Sequence, residues 1–573
     1  MTTKKYKQLP YGNTDFESIM TENYAYVDKT RFIAQLENEA NRSQFFIRPR
    51  KFGKSLFLSL LTNYYDIGRA SNFERLFGDL YIGKNPTPLK NSYLVMNFHF
   101  SGIDTRSEDG FVLSFSWRVQ KTISRFINQY REFFPDADDA IQLIKTLNPG
   151  IRTLDIVFEM LDSVKIKLFV IIDEYDHFAN DLIAMGSRKG DDVYRRMVQA
   201  NGLVRDFYEV LKAEKSNRLD RIFITGISPV MLDDLTSGFN IADNLTVDLQ
   251  YNEMMGFTQA EVEALMSETG IDPSKIDIDM TAYYNGYLFN EDGENRLYNS
   301  TMVLYFFNLI LKNKKTTSKN IIDTNLKTDY GRLQLLMQNE KNKDTLIEII
   351  KEGSITSDII NEFPMEMMYS DEYFISLLFY MGLLTIKEKY FGKYRLQIPN
   401  YSIRTVTWEY LDRMSKDSSP DMTINIKHLD EAIRNMAMEG DVHTFIEYVS
   451  QNAFNKLSNN DLSRFDEKYI KILLLAYLFQ SKIYVTMSEF ETSRGYTDIF
   501  LQRSPSLPEI KYEWVLELKY LKVEDEKELP KAKKEAEDQL QRYMQAYRLS
   551  GRPGLKTAVI VFIGKSKYEI FEL

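Results

Sequence analysis

Hydrophobic and polar positions along this chain fall into blocks whose period changes abruptly, and each change predicts an element. The stretch QFFIRPRKFGKSLFLSLLTN (44–63) runs from an apolar triplet, Phe45-Phe46-Ile47, through a tight basic loop into apolar positions at helical spacing. It predicts strand, loop and helix in immediate succession. An extended piece over 23–36 leads into a helix just ahead of it. YLVMNFHF (93–100) has the aromatic and β-branched content of a strand, and 111–134 carries the amphipathic spacing of a helix ended by Pro135. KLFVIID (167–173) is a continuous apolar run, as expected of a strand covered on both faces in a parallel sheet. After a helix around 193–213, RIFIT (221–225) predicts another strand. Strands and helices alternating over about 40–250 predict a doubly wound parallel sheet.

Beyond 250 the pattern turns mainly helical. Thr258 followed by Glu261 has the spacing of a capping box, and 252–289 predicts two or three short helices behind the sheet. LLTIKEKYFGKYRLQIP (383–399) reads as a hairpin, two alternating runs parted by Phe391-Gly392-Lys393. Helix plus hairpin suits a winged-helix-like module that touches nucleic acid, or a plain spacer. MSKDSSPD (414–421) has the composition of a linker. Further on come helices over 427–437, 442–453 and 466–480, strands over 483–491, 496–501, 512–520, 557–563 and 568–571, and a mixed-charge helix over 524–550. The expected domains are 1–250, 251–415 and 424–573. The longest apolar runs, 375–386 and 470–479, are shorter than the ~18–20 residues of a membrane helix and predict buried helices.

Composition narrows the chemistry. A chain of 573 residues suits several domains. With no cysteine, disulfides, thiolate nucleophiles and cysteine-zinc sites are excluded, and four histidines disfavour a histidine-rich metal site. A net charge of −10 argues against a wholly basic nucleic-acid coat but allows a local basic cleft. The N-terminal MTTKKYKQLPYGN has no apolar run after its lysines, so it is no secretory signal, and a cytoplasmic protein with no membrane partner is expected.

Three places carry candidate chemistry. Gly53-Lys54-Ser55 ends the basic loop as a phosphate-binding loop does: Gly53 lets the backbone approach an anion, Lys54 reaches the β- and γ-phosphates, and the Ser55 hydroxyl holds Mg²⁺. The common pattern asks for glycine where this chain has Arg48, and a basic turn capping a core helix is the alternative reading. Some 120 residues on, KLFVIID ends in Asp173-Glu174, where Asp173 is placed for a Mg²⁺ shell and Glu174 for polarising a water. Thr225 or Ser228, at the tip of the next strand, is a candidate phosphate-sensing group. In the C-terminal part, Glu517 and Lys519 share one strand face, and Asp498 comes from the strand before. Asp with Glu-x-Lys can hold a divalent metal and a water-activating lysine.

Arg48-Pro49-Arg50-Lys51-Phe52-Gly53-Lys54-Ser55-Leu56, the IIDEYD strand, Thr225-Gly226-Ile227, Tyr284-Asn285-Gly286-Tyr287-Leu288-Phe289 and Tyr298-Asn299 resemble the signatures of the bacterial AAA-ATPase-like family over about residues 5–300. Arginine at the first glycine position is usual there. The resemblance implies ATP binding through Arg48, Gly53, Lys54, Ser55, Leu56, Asp173 and Thr225. Glu491, Asp498, Glu517, Lys519 and, more weakly, Gln539 resemble the site of the PD-(D/E)XK nuclease superfamily domain that follows in the same proteins. It implies Mg²⁺ or Mn²⁺ at Glu491, Asp498 and Glu517; the arginine of that family's Gly-Arg-x-Asp turn is replaced by Tyr496. The implied fold class is α/β multidomain: a P-loop NTPase parallel sheet, a helical, winged-helix-like middle and a C-terminal PD-(D/E)XK-like α/β domain. The implied function is ATP-controlled, metal-dependent cleavage of a nucleic acid, DNA or RNA with the resemblance favouring DNA, compatible with a homo-oligomer. The alternative is an ATP-dependent switch or scaffold whose last domain only binds.

Overall fold

The computed structural model describes residues 6–573 apart from 148–149, 180–195, 198–201, 216, 231–241, 277, 313–321, 324–338, 362–369, 408–425, 453, 455–465, 482, 493–494, 505–506, 508, 547–548 and 565–566. The expected linker over 414–421 therefore lies outside the described residues.

Five parallel strands form the first sheet: β1 (Ser43–Ile47), β2 (Tyr93–His99), β3 (Lys167–Asp173), β4 (Leu219–Gly226) and the short β5 (Asp243–Asn244), in the order β2-β3-β4-β1-β5. β3 and β4 are buried almost throughout, which is why they read as unbroken apolar runs rather than alternating ones. From β1 the chain crosses to the far edge, returns through β3 and β4, and leaves on the other side of β1. The carboxyl end of β1 thus lies where strand order reverses, the usual crevice for a ligand, and that of β3 lies just across β4. Helix α1 (Lys54–Tyr65) starts directly after the β1 loop, and α2 (Glu108–Gln129) begins earlier than expected because Ser107 caps it. α3 (Thr153–Leu161) precedes β3, and α4 (Leu203–Glu214) precedes β4.

The middle region opens with α5 (Gln259–Thr269), whose capping box forms as expected: Glu261 N–H donates to Thr258 Oγ1, and the Glu261 carboxylate accepts from Thr258 N–H. Lys29 Nζ donates to both oxygens of that carboxylate, at 2.7 and 2.8 Å, pinning the N-terminal segment to this module. α6 (Ser300–Leu311) follows, then α7 (Glu340–Glu352), β6 (Ser354–Ser357), α8 (Asp371–Tyr380), β7 (Thr385–Tyr390) and β8 (Lys393–Gln397). The last three strands make an antiparallel sheet in the order β6-β8-β7. The hairpin turn is two residues, not three: Phe391 (φ 49) and Gly392 (φ 81) are both left-handed, and Lys393 already pairs with Tyr390. The buried helix expected over 375–386 also needs correcting. α8 stops at Tyr380, Gly382 turns left-handed at φ 79, and the rest of the apolar run becomes the start of β7.

The C-terminal part comprises α9 (Ile426–Met438), α10 (His443–Asn452), α11 (Glu467–Gln480) and a mixed sheet of β9 (Tyr484–Thr492), β10 (Gly495–Arg503), β11 (Glu513–Leu521), β12 (Leu555–Ile563) and β13 (Lys567–Glu572). The order is β13-β12-β11-β10-β9, with β11 and β12 parallel and the other neighbours antiparallel. Along β11, Trp514, Leu516 and Leu518 join the core shared with α9, α10 and α11. Val515 faces the other way, into the core containing Ala536, Leu540 and Tyr543 of α12 (Leu529–Met544). α12 is shorter than the helix expected over 524–550. Residues Val523–Glu528 form a 3-10 turn, and the α-helix begins where Pro530, which has no N–H to donate, is tolerated in the first turn. Among the described residues no helix is long and apolar enough to cross a membrane.

Candidate functional site

Gly53 adopts φ 98, a left-handed conformation that glycine takes without strain, and the turn it makes delivers Lys54 and Ser55 as the first residues of α1. Ser55 Oγ donates to Asp173 Oδ2 at 3.1 Å. Two segments 118 residues apart in sequence thereby meet at one point. Lys54 is buried, its Nζ donating to the Arg48 and Pro49 carbonyls at 2.8 and 3.0 Å. Burial lowers its pKa to about 8, against the opposing pull of the Asp173 carboxylate. Burial raises Asp173, while His99, the residue beside it on β2, draws it down from 3.8 Å. Asp173 Oδ1 is buried with no hydrogen-bond partner.

Lys54, Ser55 and Asp173 line a cavity of about 620 Å³. Gly53, Leu56 and Glu174 line it too, and its apolar and aromatic lining includes Tyr11, Tyr26, Met254, Met255 and Phe257. Glu174 holds a left-handed backbone (φ 53), unusual for a non-glycine residue, at the point where the strand ends against the cavity.

Two expected ligand contacts need correcting. Arg48 does not extend toward the cavity. Its guanidinium lies in the interior between the rings of Phe46 and Phe289, 4.1 and 4.0 Å from their centroids. It donates to the carbonyls of Ile47, Thr246 and Tyr251 at 2.6–3.0 Å. With 0% exposure it is a strut between the β1 loop and 246–252, and burial drives its pKa well down. Thr225 is equally committed: β4 pairs it with Phe46, and its hydroxyl donates to the Phe46 carbonyl at 2.7 Å. A buried hydroxyl takes the partner within reach, and here that partner is the neighbouring strand. The Ser228 hydroxyl likewise donates to Asp176 at 2.9 Å, closing the turn after β4.

The second cluster lies where β10 and β11 meet. The ladder pairs Ile499 with Leu516, so one step further Asp498 stands opposite Glu517. Asp498 Oδ2 accepts from Leu518 N–H at 2.9 Å, and its Oδ1 lies 3.4 Å from Lys471 Nζ. Glu517 is only 3% exposed; Oε1 accepts from Lys519 Nζ at 3.3 Å, and Oε2 has no partner. Burial first, then the nearby Asp498 charge, raises its pKa to about 8. Glu491 lies on β9 across from Tyr496; its side chain falls outside what the structure describes. Among the described residues no group of three or more acidic or histidine side chains is arranged to hold a metal.

Reading the sequence missed two members of this cluster. Glu467, capped by Asp466 in the first turn of α11, comes within 3.8 Å of Lys519, and Lys471 follows one turn later. Their i,i+4 spacing on an ordinary amphipathic helix carries no signal of the site. α12 adds Gln539, whose Oε1 is buried without a partner, and Tyr543, raised by burial and by Glu517 and Asp498.

Comparison with known proteins agrees with this division. Residues 10–236 match the family model described as predicted AAA-ATPase, and residues 465–572 match that of the PD-(D/E)XK nuclease superfamily. An uncharacterised protein encoded in the vnfD 5′ region of Azotobacter chroococcum mcd 1 is 25% identical over 414 residues, 70% of this chain and 68% of that protein. Among solved structures, the Aeropyrum pernix ORC1 protein in complex with DNA aligns over 72% of this chain and 100% of its own, with 8% identity and a TM-score of 0.26. With its parallel sheet first and its mixed sheet last, the chain carries an AAA-ATPase-like domain at the N-terminal end and a PD-(D/E)XK nuclease superfamily domain at the C-terminal end.

Proposed function

We propose that the first site binds and hydrolyses ATP and that nucleotide occupancy controls a metal-dependent nuclease acting on DNA at the second. The donors at the first site fit a magnesium nucleotide: the Ser55 hydroxyl and an Asp173 carboxylate with a buried, unpartnered oxygen are the hard oxygens Mg²⁺ takes. A cation held by these oxygens would supply charge neutralisation for the β- and γ-phosphates. Lys54 exchanges its two carbonyl partners for phosphate oxygens, and the N–H groups opening α1 face the anion. Glu174, which lines the same cavity, accepts a proton from the attacking water. The aromatic and methionine side chains of the lining suit a nucleoside base.

At the second site the observation that carries the reading is Glu517 Oε2, buried and unpartnered beside Asp498. Two facing carboxylates with a spare oxygen fit Mg²⁺ or Mn²⁺. Such a cation supplies Lewis-acid stabilisation of phosphodiester oxygens. Lys519, 3.3 Å from Glu517, orients the attacking water or shuttles its proton.

Two observations favour a second reading, a switch or scaffold with an inert last domain. Lys471 and Lys519 sit on the two carboxylates, and Tyr496 replaces the arginine of the usual turn. Plasmid and oligonucleotide cleavage, titrated with Mg²⁺ and Mn²⁺, separates the two. Cleavage by wild type that Asp498→Ala and Lys519→Ala abolish supports the nuclease. No cleavage with either metal, or cleavage indifferent to both substitutions, supports the switch.

A further inference from the structure

A peptide's N–H and C=O point in opposite directions, so a loop that offers N–H groups to an anion must turn its carbonyls away and find them partners. In this loop the partners are all identifiable. Arg48 and Pro49 carbonyls accept from Lys54 Nζ. The Arg50 carbonyl accepts from Asn299 Nδ2 at 3.2 Å. The Lys51 carbonyl accepts from Ser300 Oγ at 3.3 Å and from Thr301 N–H at 3.1 Å. The Phe52 carbonyl accepts from Gly256 N–H at 3.2 Å. Three consecutive carbonyls are thus held by residues that lie after the last strand of the parallel sheet.

We propose that Asn299 is a positioning residue for the phosphate loop, fixing which way the 50–53 peptides face. This rests on the nucleotide reading given above. Lys51 is held at φ 70, a left-handed conformation that a lysine adopts only under constraint, and its carbonyl is the one with two donors. Asn299 is 1% exposed and works at both ends of its amide. Its Oδ1 caps α6 by accepting from Met302 N–H at 3.2 Å, while its Nδ2 reaches the loop. The segment is anchored by the exchange between Tyr298 and Phe257, at 2.8 and 3.0 Å.

The two ends of the amide make the idea testable in the full chain. Serine keeps the helix cap but cannot reach the Arg50 carbonyl. Asn299→Ser is therefore expected to melt within about 2 °C of wild type without ligand, since the cap is retained. ATP and ADP affinities, measured by calorimetry, fall about tenfold, the effect of losing one well-placed hydrogen bond. Adenosine, which has no phosphate for the loop to hold, binds both proteins equally. If Asn299→Ser unfolds, Ser300→Ala, which removes only one donor to Lys51, carries the same selective loss at about threefold. Unchanged ATP and ADP affinity, or an equal loss for adenosine, overturns the positioning role. Wild type that binds no ATP, or Lys54→Ala that binds it undiminished, overturns the nucleotide reading and this inference with it.

Discussion

The Ser55 hydroxyl donates to Asp173 Oδ2 across 3.1 Å, joining the start of α1 to the end of β3, and both residues line the cavity. A hydroxyl and a carboxylate at that separation can share one cation, so on the proposed reading this pair couples metal binding to nucleotide binding. Each expectation below follows from such a placement.

ATP affinity should depend on pH through Lys54. Its pKa in the folded protein is about 8, below the usual lysine value, so the free site loses its positive charge as pH rises past 8. A triphosphate must then recapture the proton on binding, and affinity falls by up to about tenfold per pH unit above that point. Calorimetry at pH 7 and pH 9 should give a Kd about tenfold weaker at the higher pH. A flat profile would mean that the phosphates do not engage this amine.

Glu517 should make the metal-free protein less stable as pH rises. Its carboxyl is raised to about 8, so between about pH 4.5 and 8 the folded state keeps a proton that the unfolded chain releases. The contribution is fully present below the unfolded pKa and disappears as pH climbs through 8. Glu517→Gln removes that dependence and should melt a few degrees above wild type at pH 8 in chelator. Mg²⁺ should then raise the melting temperature of wild type but not of the variant. Equal Mg²⁺ shifts in the two proteins would remove Glu517 from the metal site.

Arg48→Gly recreates the glycine of the common phosphate loop, yet it should harm the protein. The substitution removes a guanidinium stacked between Phe46 and Phe289 and strips donors from the Thr246 and Tyr251 carbonyls. A loss of about 3 kcal/mol or more in urea unfolding is expected, with Arg48→Lys recovering only part of it because an ammonium lacks the planar fork. A Gly variant as stable as wild type would contradict the strut.

Gly286→Ala should loosen the hold of the middle module. Gly286 sits at φ 108, and a Cβ there would come within 2.0 Å of the Pro399 carbonyl, a backbone atom with nowhere to retreat. A cost of at least about 2 kcal/mol is expected. Because Arg296 ties the Gly286 carbonyl to that of Ile386 on β7, limited proteolysis should cut the hairpin region sooner in the variant. Unaltered stability and digestion would show that this close approach can relax.

The sequence by itself determined the longer strands and which side chains stand at their ends, but not the short β5 and β6. β3 was legible to the residue because a strand buried on both faces must be apolar throughout, and its acidic end stands out against that run. The capping box at Thr258 and the facing pair Asp498 and Glu517 were legible for the same reason: period and spacing are local properties. What only the tertiary structure decided was direction and partnership. Arg48 and Thr225 have the right chemistry at the right positions, but their hydrogen-bonding groups are taken by interior carbonyls brought close by folding. Glu467 gave no local sign of a role, and Asn299 showed only as part of a family resemblance, since the groups they meet lie on other elements, far away along the chain. A hydrogen bond is set by distance in space, and spacing along a sequence fixes that distance only within one helix or one hairpin.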